Sequence, residues 1–446
     1  MRKAVGIKFL TLALIMTIVF SFSACGNKTS TNNNSKSSSS SEKITIKLAD
    51  TYTGSDSKAA YFQAELKKFM AEHPEINLVQ ETAAGDELRN KIKVELAANN
   101  LPDVFTYWGG SILKPLVVDK KVLNIDEYLK VSKSLKKSDF SDGAWAFYTY
   151  NGVPYGIPTE GYVSALVANK KLFAEYNLQY PKTEQDLLNV AKVFNQHGIV
   201  PLAVGSKGGN PSHFYFSELY NQLPNGTQEI EDLTSSYKFN TANALKVAQI
   251  IDEQRKAGVF PKDTVANGDW TPSAELYNSE KAAMTYLYPW TMGLIKPEIA
   301  ANSVIIDMPK IDGATKDPST FVSSSAVFGL VINNDSFHDP KKQKAIVELV
   351  DFLTSDEMFK ELAKGGMVPA KNIPNMDRSV YPTLLKDALD RADKLEKVPS
   401  HFNTFPDDNS FTVFQNTLDS LWAGAISPQG FVDKVQKALD SAKASK

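Results

Sequence analysis

Three short stretches with strand-like apolar patterns, residues 44–48, 76–80 and 104–107, alternate with two stretches whose apolar residues recur at helical spacing. The switch between a period of two and a period of 3.6 decides which faces can be buried, so this order predicts a β-α-β-α-β unit. Parallel strands with right-handed crossovers bring all three carboxyl ends to one edge. The turn Thr51-Tyr52-Thr53-Gly54 after the first strand should therefore share a rim with Trp108, Gly109 and Gly110 after the third. In such folds that rim is where ligands bind. The stretch LPDVFTYWGGS, residues 101–111, ends its apolar strand in Tyr107 and Trp108 and is expected to form one wall of a cleft. Phe62, Leu66, Phe69 and Met70 mark the packing face of the first helix, which Pro74 stops. Asp86 can cap the second, with Leu88, Ile92 and Leu96 on one face.

A second α/β body is expected downstream. Residues 116–151 are mixed, with Leu123, Ile125, Tyr128 and Leu129 as packing residues and Asn151-Gly152 as a hairpin turn. The apolar run 163–168 precedes a helix start, and Thr183 opens another helix carrying Leu187, Ala191 and Phe194. Strands at 201–204 and 282–287 flank a helix at 240–256. The second of these strands ends in Tyr288-Pro289-Trp290, the same layout of aromatics at a carboxyl end that Trp108 shows. Strands at 304–308 and 326–333 follow, then helices at 341–353 and 355–364 that Gly365-Gly366 can close. Beyond Pro369 the pattern is helical, with Leu418, Leu421 and Trp422 buried, and Trp145 is also expected in a core. A chain of 446 residues with 42% hydrophobic side chains has material for two or more domains.

The amino-terminal end reads as an export signal: Arg2, Lys3 and Lys8, an apolar run from Phe9 to Phe22, then small residues. Cys25 is the only cysteine, so no disulfide can form within the chain. Residues 27–41 are Asn, Ser, Thr and Lys, too polar to offset the entropy of ordering, and read as a tether with a span of roughly 20 Å. The 49 basic and 51 acidic side chains form no basic stripe, which argues against nucleic acid as a partner.

Several motifs together resemble family 1 extracellular solute-binding proteins, the binding components of ABC importers, most often for sugars. They are LAANNLPDVFTYW (96–108), YGIPTEGYVSALVANKKLF (155–173), Pro181-Lys182-Thr183, NSEKAAMTYLYPW (278–290), Met308-Pro309, and AIVELVDFLTSDE followed by GGMVPA (345–370). Phe22-Ser23-Ala24-Cys25-Gly26 resembles a bacterial lipobox, with Phe22 where leucine is usual. The resemblance implies cleavage before Cys25, lipid attachment to it, and anchoring at the outer face of the cytoplasmic membrane. It implies an α/β fold of the two-lobed periplasmic-binding-protein type II. Each lobe would be a mostly parallel sheet flanked by helices, with hinge crossings near 163–166, 326–328 and 366–368. The expected organisation is a signal peptide at 1–24 and a lipid-anchored tether at 25–42. Residues 43–164 plus 327–366 would form an N-terminal lobe, and 165–326 plus 367–446 a C-terminal lobe. The resemblance also implies a monomer that delivers its ligand to ABC permease subunits, without enzymatic activity, cofactor or metal.

A carbohydrate suits these residues. Sugar rings present C–H faces that pack on aromatics, and hydroxyls that need polar partners at the ring edge. Trp108 and Trp290 are the expected stacking platforms, with Tyr52, Tyr107, Tyr162, Trp270 and Tyr288 as further aromatic candidates. Asp56, Glu160, Asp269 and Ser324 are candidate edge partners, and His213 a possible contact. Asp103 precedes its strand, at the wrong end for the crevice, and is expected to be structural. A secreted carbohydrate hydrolase would use similar residues, and a surface sugar sensor would use the same cleft with a different partner. The sequence lacks GxSxG, GxxxxGK and GxGxxG motifs, and its five histidines are too dispersed for a local zinc motif.

Overall fold

The computed structural model describes residues 43–446, apart from residues 55, 267, 269, 402, 403 and 446 and the side chain of residue 86. The export segment, Cys25, the tether and Asp269 lie outside the described residues. The expected opening unit is present as β1 (Ile44–Asp50), α1 (Ala59–Glu72), β2 (Ile76–Thr82), α2 (Gly85–Ala97) and β3 (Val104–Tyr107). β1 pairs in parallel with β2 on one side and β3 on the other, so the turns after β1 and β3 are neighbours. α1 buries Phe62, Leu66 and Phe69, whereas Met70 is 40% exposed because the helix has turned its side chain past the packed stripe. Ala84 occupies the cap position of α2, which puts Asp86 inside the first turn.

The later elements that frame the site begin with β4 (Ile157–Val163), β5 (Ala165–Asn169), α3 (Glu184–Gln196), β6 (Val200–Ala203) and α4 (Ser212–Asn221). They continue with α5 (Ala242–Lys256), α6 (Trp270–Asn278), β7 (Ala282–Leu287), β8 (Ser303–Ile306) and β9 (Phe321–Ile332). Last come α7 (Gln343–Leu353), α8 (Asp356–Lys364), β10 (Val368–Pro369), β11 (Glu396–Val398), α9 (Asp408–Trp422) and α10 (Pro428–Ala444). Thr183 and Asp186 form a reciprocal capping box at the start of α3, as the Pro-Lys-Thr motif suggested. Asn151 and Gly152 both adopt positive φ between two short antiparallel strands, the geometry a tight hairpin demands. β11 interrupts the region expected to be wholly helical, because Phe321–Ser323 at the start of β9 needs a ladder partner.

Two sheets organise these elements. The larger has the order β10-β4-β9-β3-β1-β2, with β11 on the far end of β9, and the smaller has the order β8-β5-β7-β6. Where mostly parallel sheets were expected, both are mixed: β9 runs antiparallel to β3 and β4, and β5 antiparallel to β7 and β8. The reason is that chain segments pass between the two bodies in both directions. One passage occurs at Ser164, where β4 of the larger sheet gives way to β5 of the smaller, so the apolar run 163–168 is two strands rather than one. Residues 43–446 nevertheless form one compact unit.

A buried carboxylate ties these passages to the second body. Glu218 on α4 accepts hydrogen bonds from the Ser164 hydroxyl at 2.8 Å, the Ser323 backbone N–H at 3.1 Å and the Tyr286 hydroxyl at 2.7 Å, all at Oε1. Only 3% of Glu218 is exposed. Removing the carboxylate would take the Glu218 acceptor from the buried Ser323 N–H and Tyr286 hydroxyl and leave the Ser164 hydroxyl only the Ser323 carbonyl, at 3.4 Å. Glu218→Ala is therefore expected to lower the free energy of unfolding by about 3 kcal/mol in urea titrations. A loss below about 1 kcal/mol would show that Glu218 does not hold the crossings together.

Candidate functional site

The turn after β1 is shaped by two carboxylates. Asp50 accepts from the Tyr52 N–H at 3.0 Å and the Gln80 side chain at 2.8 Å, and burial raises its pKa to about 6. Asp56 accepts from the Lys58 N–H at 2.8 Å, which bends the chain into α1. The Lys58 ammonium then turns inward, 2.9 Å from Glu160 and 3.4 Å from Asp56, with 1% of its side chain exposed. It also lies 5.9 Å from the ring centroids of both Tyr52 and Trp290. Burial alone would lower the lysine's pKa, but Asp56 and Glu160 outweigh it and hold the group above its ordinary value.

Aromatic rings from both bodies meet nearby. Trp108 follows β3, its ring 5.0 Å from Phe328 on β9. The chain can pass beneath it only because residue 109 is glycine: a Cβ there would lie 2.2 Å from the Phe147 carbonyl oxygen. On the second body, Trp290 stacks on Tyr288 with centroids 5.3 Å apart and an interplanar angle of 12°, and Trp270 stands edge-on to Trp290 at 5.1 Å. The Trp290 carbonyl receives a hydrogen bond from Ser57 of the β1 turn at 3.2 Å. Gly293 and Gly365 lie close against this contact, where a Cβ on either would fall within 3 Å of Ser57.

Between these walls lies a cavity of about 420 Å³. Its lining includes Thr51, Asp56, Lys58 and Trp108 on one side and Lys207, Asn210, Trp270 and Trp290 on the other, with Phe328 at the crossing. Of the expected contacts, Asp56, Trp108, Trp270 and Trp290 line it. Tyr52, Tyr107, Glu160, Tyr162, Tyr288 and Ser324 do not. Tyr52 packs on Phe62 at 4.2 Å, and Glu160 faces Lys58 behind the wall. Tyr107 points the other way from Trp108, as strand alternation requires, and is buried. Tyr162 donates to the Ser400 hydroxyl at 3.2 Å, Tyr288 backs Trp290, and Ser324 donates to the Tyr162 carbonyl at 2.9 Å. His213 is fully buried, its Nδ1 2.8 Å from the Gly209 carbonyl oxygen. Trp145 and Trp422 are core residues, and Asp103 pairs with Lys342 at 2.8 Å.

Lys58, Lys207, Asn210 and Phe328 are wall residues that sequence reasoning did not single out. A lysine two positions after Asp56 in a polar turn reads as solvated, and its inward course becomes evident only with Glu160 in place. His73, Glu75 and Glu348 offer metal-ligand atoms within 4.8 Å of one another, but none of them lines the cavity.

Two α/β bodies joined by crossing strands, with an aromatic-walled cavity between them, define a protein that holds a small solute between its halves. The chain belongs to the bacterial extracellular solute-binding protein family, which its residues 53–358 match. It is 24% identical to an ABC transporter extracellular-binding protein of Pyrococcus horikoshii, over 96% of this chain and 95% of that one. A chitin oligosaccharide binding protein superposes with a TM-score of 0.80 at 19% identity, covering 90% of this chain and 99% of its own. A structure from work on xylan utilisation by Caldanaerobius polysaccharolyticus gives 0.77 at 24% identity, covering 88% and 99%. These superpositions establish the two-lobed α/β fold. Among the described residues no helix is long and apolar enough to cross a membrane.

Lys58→Met should test the charge arrangement. Glu160 would be left buried without its counter-ion, a loss of about 3–5 kcal/mol of stability at neutral pH. Burial already raises the Glu160 pKa, and Lys58 and its hydrogen bond oppose that rise. Without Lys58 the carboxyl takes up a proton on folding, so the deficit should shrink as pH falls towards the unfolded-state carboxylate range. Denaturant unfolding at several pH values checks this, and a deficit that is independent of pH would contradict it.

Proposed function

We propose that this chain captures a carbohydrate in the cavity between its two bodies and delivers it to the permease of an ABC importer. The observation that carries the reading is the wall chemistry: indoles from opposite bodies, Trp108 against Trp270 and Trp290, beside the polar edges of Asp56 and Asn210. Flat apolar faces next to hydroxyl partners are what a pyranose or furanose ring requires. A cavity of about 420 Å³ has the size of those that enclose compact ligands, here a saccharide of two or three rings. Relatives named for chitin oligosaccharide and for maltotriose support the same reading. In this proposal Asp56, Trp108, Trp270 and Trp290 touch the sugar. Tyr52, Tyr107, Glu160, Tyr162, Tyr288 and Ser324 hold those residues in place.

Cleavage before Cys25 and lipid attachment there would anchor a monomer to the outer face of the cytoplasmic membrane, with residues 27–41 as the tether. The lobes would be residues 43–164 with 327–366, and 165–326 with 367–446, moving as rigid bodies about the crossings. The protein binds its sugar without altering it.

A thermal-shift screen of residues 43–446 against a saccharide panel tests this reading. A sugar that raises the melting temperature and is recovered intact is the expected result. Recovery of shortened products would identify a hydrolase instead. With the best sugar, Trp290→Ala should weaken binding by roughly 30-fold, a loss of about 2 kcal/mol. Undiminished affinity would remove Trp290 from the site.

A further inference from the structure

One contact joins the two bodies away from the crossing strands. α2 belongs to the first body, between β2 and β3, and its first turn supplies Gly85 and Glu87 to the cavity wall. One turn further on, Arg89 reaches across to α9, which packs on α4, α5 and α10 of the second body. Its guanidinium forms an ion pair with Asp408 and donates to Gln415 at 3.3 Å and Thr412 at 3.2 Å. Its charge also lies 5.5 Å from the ring centroid of Phe411. Lys93, the next residue on the same face of α2, pairs with Asp408 as well. Lys114 donates to the Pro406 carbonyl at 3.4 Å, just before α9.

The geometry is one-sided. Three cations of the first body face the amino-terminal end of a second-body helix that carries Asp407 as its cap and Asp408 in its first turn. Carboxylates at that end are favoured by the helix dipole and so are well placed to receive cations. Only 6% of the Arg89 side chain and 17% of that of Asp408 are exposed, so the pair is screened little by solvent. If the bodies swing apart, these charges must be rehydrated separately. The contact belongs to the closed arrangement.

We propose that Arg89, Lys93 and Asp408 form a latch at the α2 end of the cleft, made as the bodies close, which slows ligand release and limits ligand length. The limit on length rests on the carbohydrate reading. It follows because α2 lines the cavity with its first turn and is bridged to α9 by its second, so a longer chain has no exit between the two helices. The latch itself does not depend on which solute is bound.

Asp408→Asn keeps the shape of the side chain and removes its charge, and far-ultraviolet circular dichroism and a melting curve would verify its fold. Small-angle scattering of ligand-free protein at low salt should give a larger radius of gyration for Asp408→Asn than for the parent chain. Equal radii would overturn the latch whatever the ligand proves to be. With the best saccharide, the variant's dissociation rate should rise about tenfold. Arg89→Gln should also speed release, and combined with Asp408→Asn it should add less than the two single effects together, whereas full additivity would overturn the pairing. Across a ladder of chain lengths, affinity of the parent should fall beyond a limiting length, and that limit should move to longer chains in Asp408→Asn. An unchanged length profile would overturn the end stop, even where release is faster. Absence of binding by the parent to every sugar would instead defeat the carbohydrate reading, with scattering still deciding the latch.

Discussion

A single buried ammonium organises the site. Lys58 sits between Asp56 of the turn after β1 and Glu160 of β4, and also faces the Trp290 ring of the second body. A charge removed from water at this depth is stable only when opposite charges surround it. That requirement fixes the turn against the sheet. It also leaves Asp56 on the cavity wall with one oxygen accepting from the Lys58 N–H and the other facing the Lys58 ammonium, and brings Trp290 to the same point. The cleft chemistry therefore depends on an interaction that is itself mostly out of reach of a ligand.

Around this point the backbone comes close. The Ser57 hydroxyl donates to the main-chain carbonyls of Trp290 and Gly365, and Gly293 and Gly365 leave no space for a side chain. Gly366, at a φ of +99°, turns the chain from α8 towards β10, a conformation costly for other residues. Together with Glu218, which gathers Ser164, Ser323 and Tyr286, these contacts concentrate the connections between the bodies in a small region. The Arg89 latch stands outside that region. Its distance from the crossings is what allows it to report on closure.

The repeated pattern of strands and helices was legible because period two and period 3.6 bury different faces. β1, β3 and the aromatic ends after β3 and β7 followed from it. The family resemblance, carried by the motifs around Trp108, Glu160 and Trp290, anticipated the two-lobed fold. What could not be read was direction. Tyr107 and Trp108 are adjacent aromatics, and only the strand's orientation in the sheet decides which faces the cavity. Tyr162 and Tyr288 are aromatic and near the cleft in sequence, yet pack behind it, because nothing local records the depth of a side chain. Lys58 and Arg89 are charged residues on α1 or α2 segments that look solvated, and their partners are 102 and 319 positions away. Long-range electrostatic pairing leaves no periodic trace.

A crystal structure of residues 43–446 with the best saccharide from the panel would decide the matter most directly. One sugar chain should be seen with the Trp108 indole from one body and the Trp290 indole from the other both in van der Waals contact with it. Density for the sugar against one body alone, or outside the space between these two rings, would contradict it.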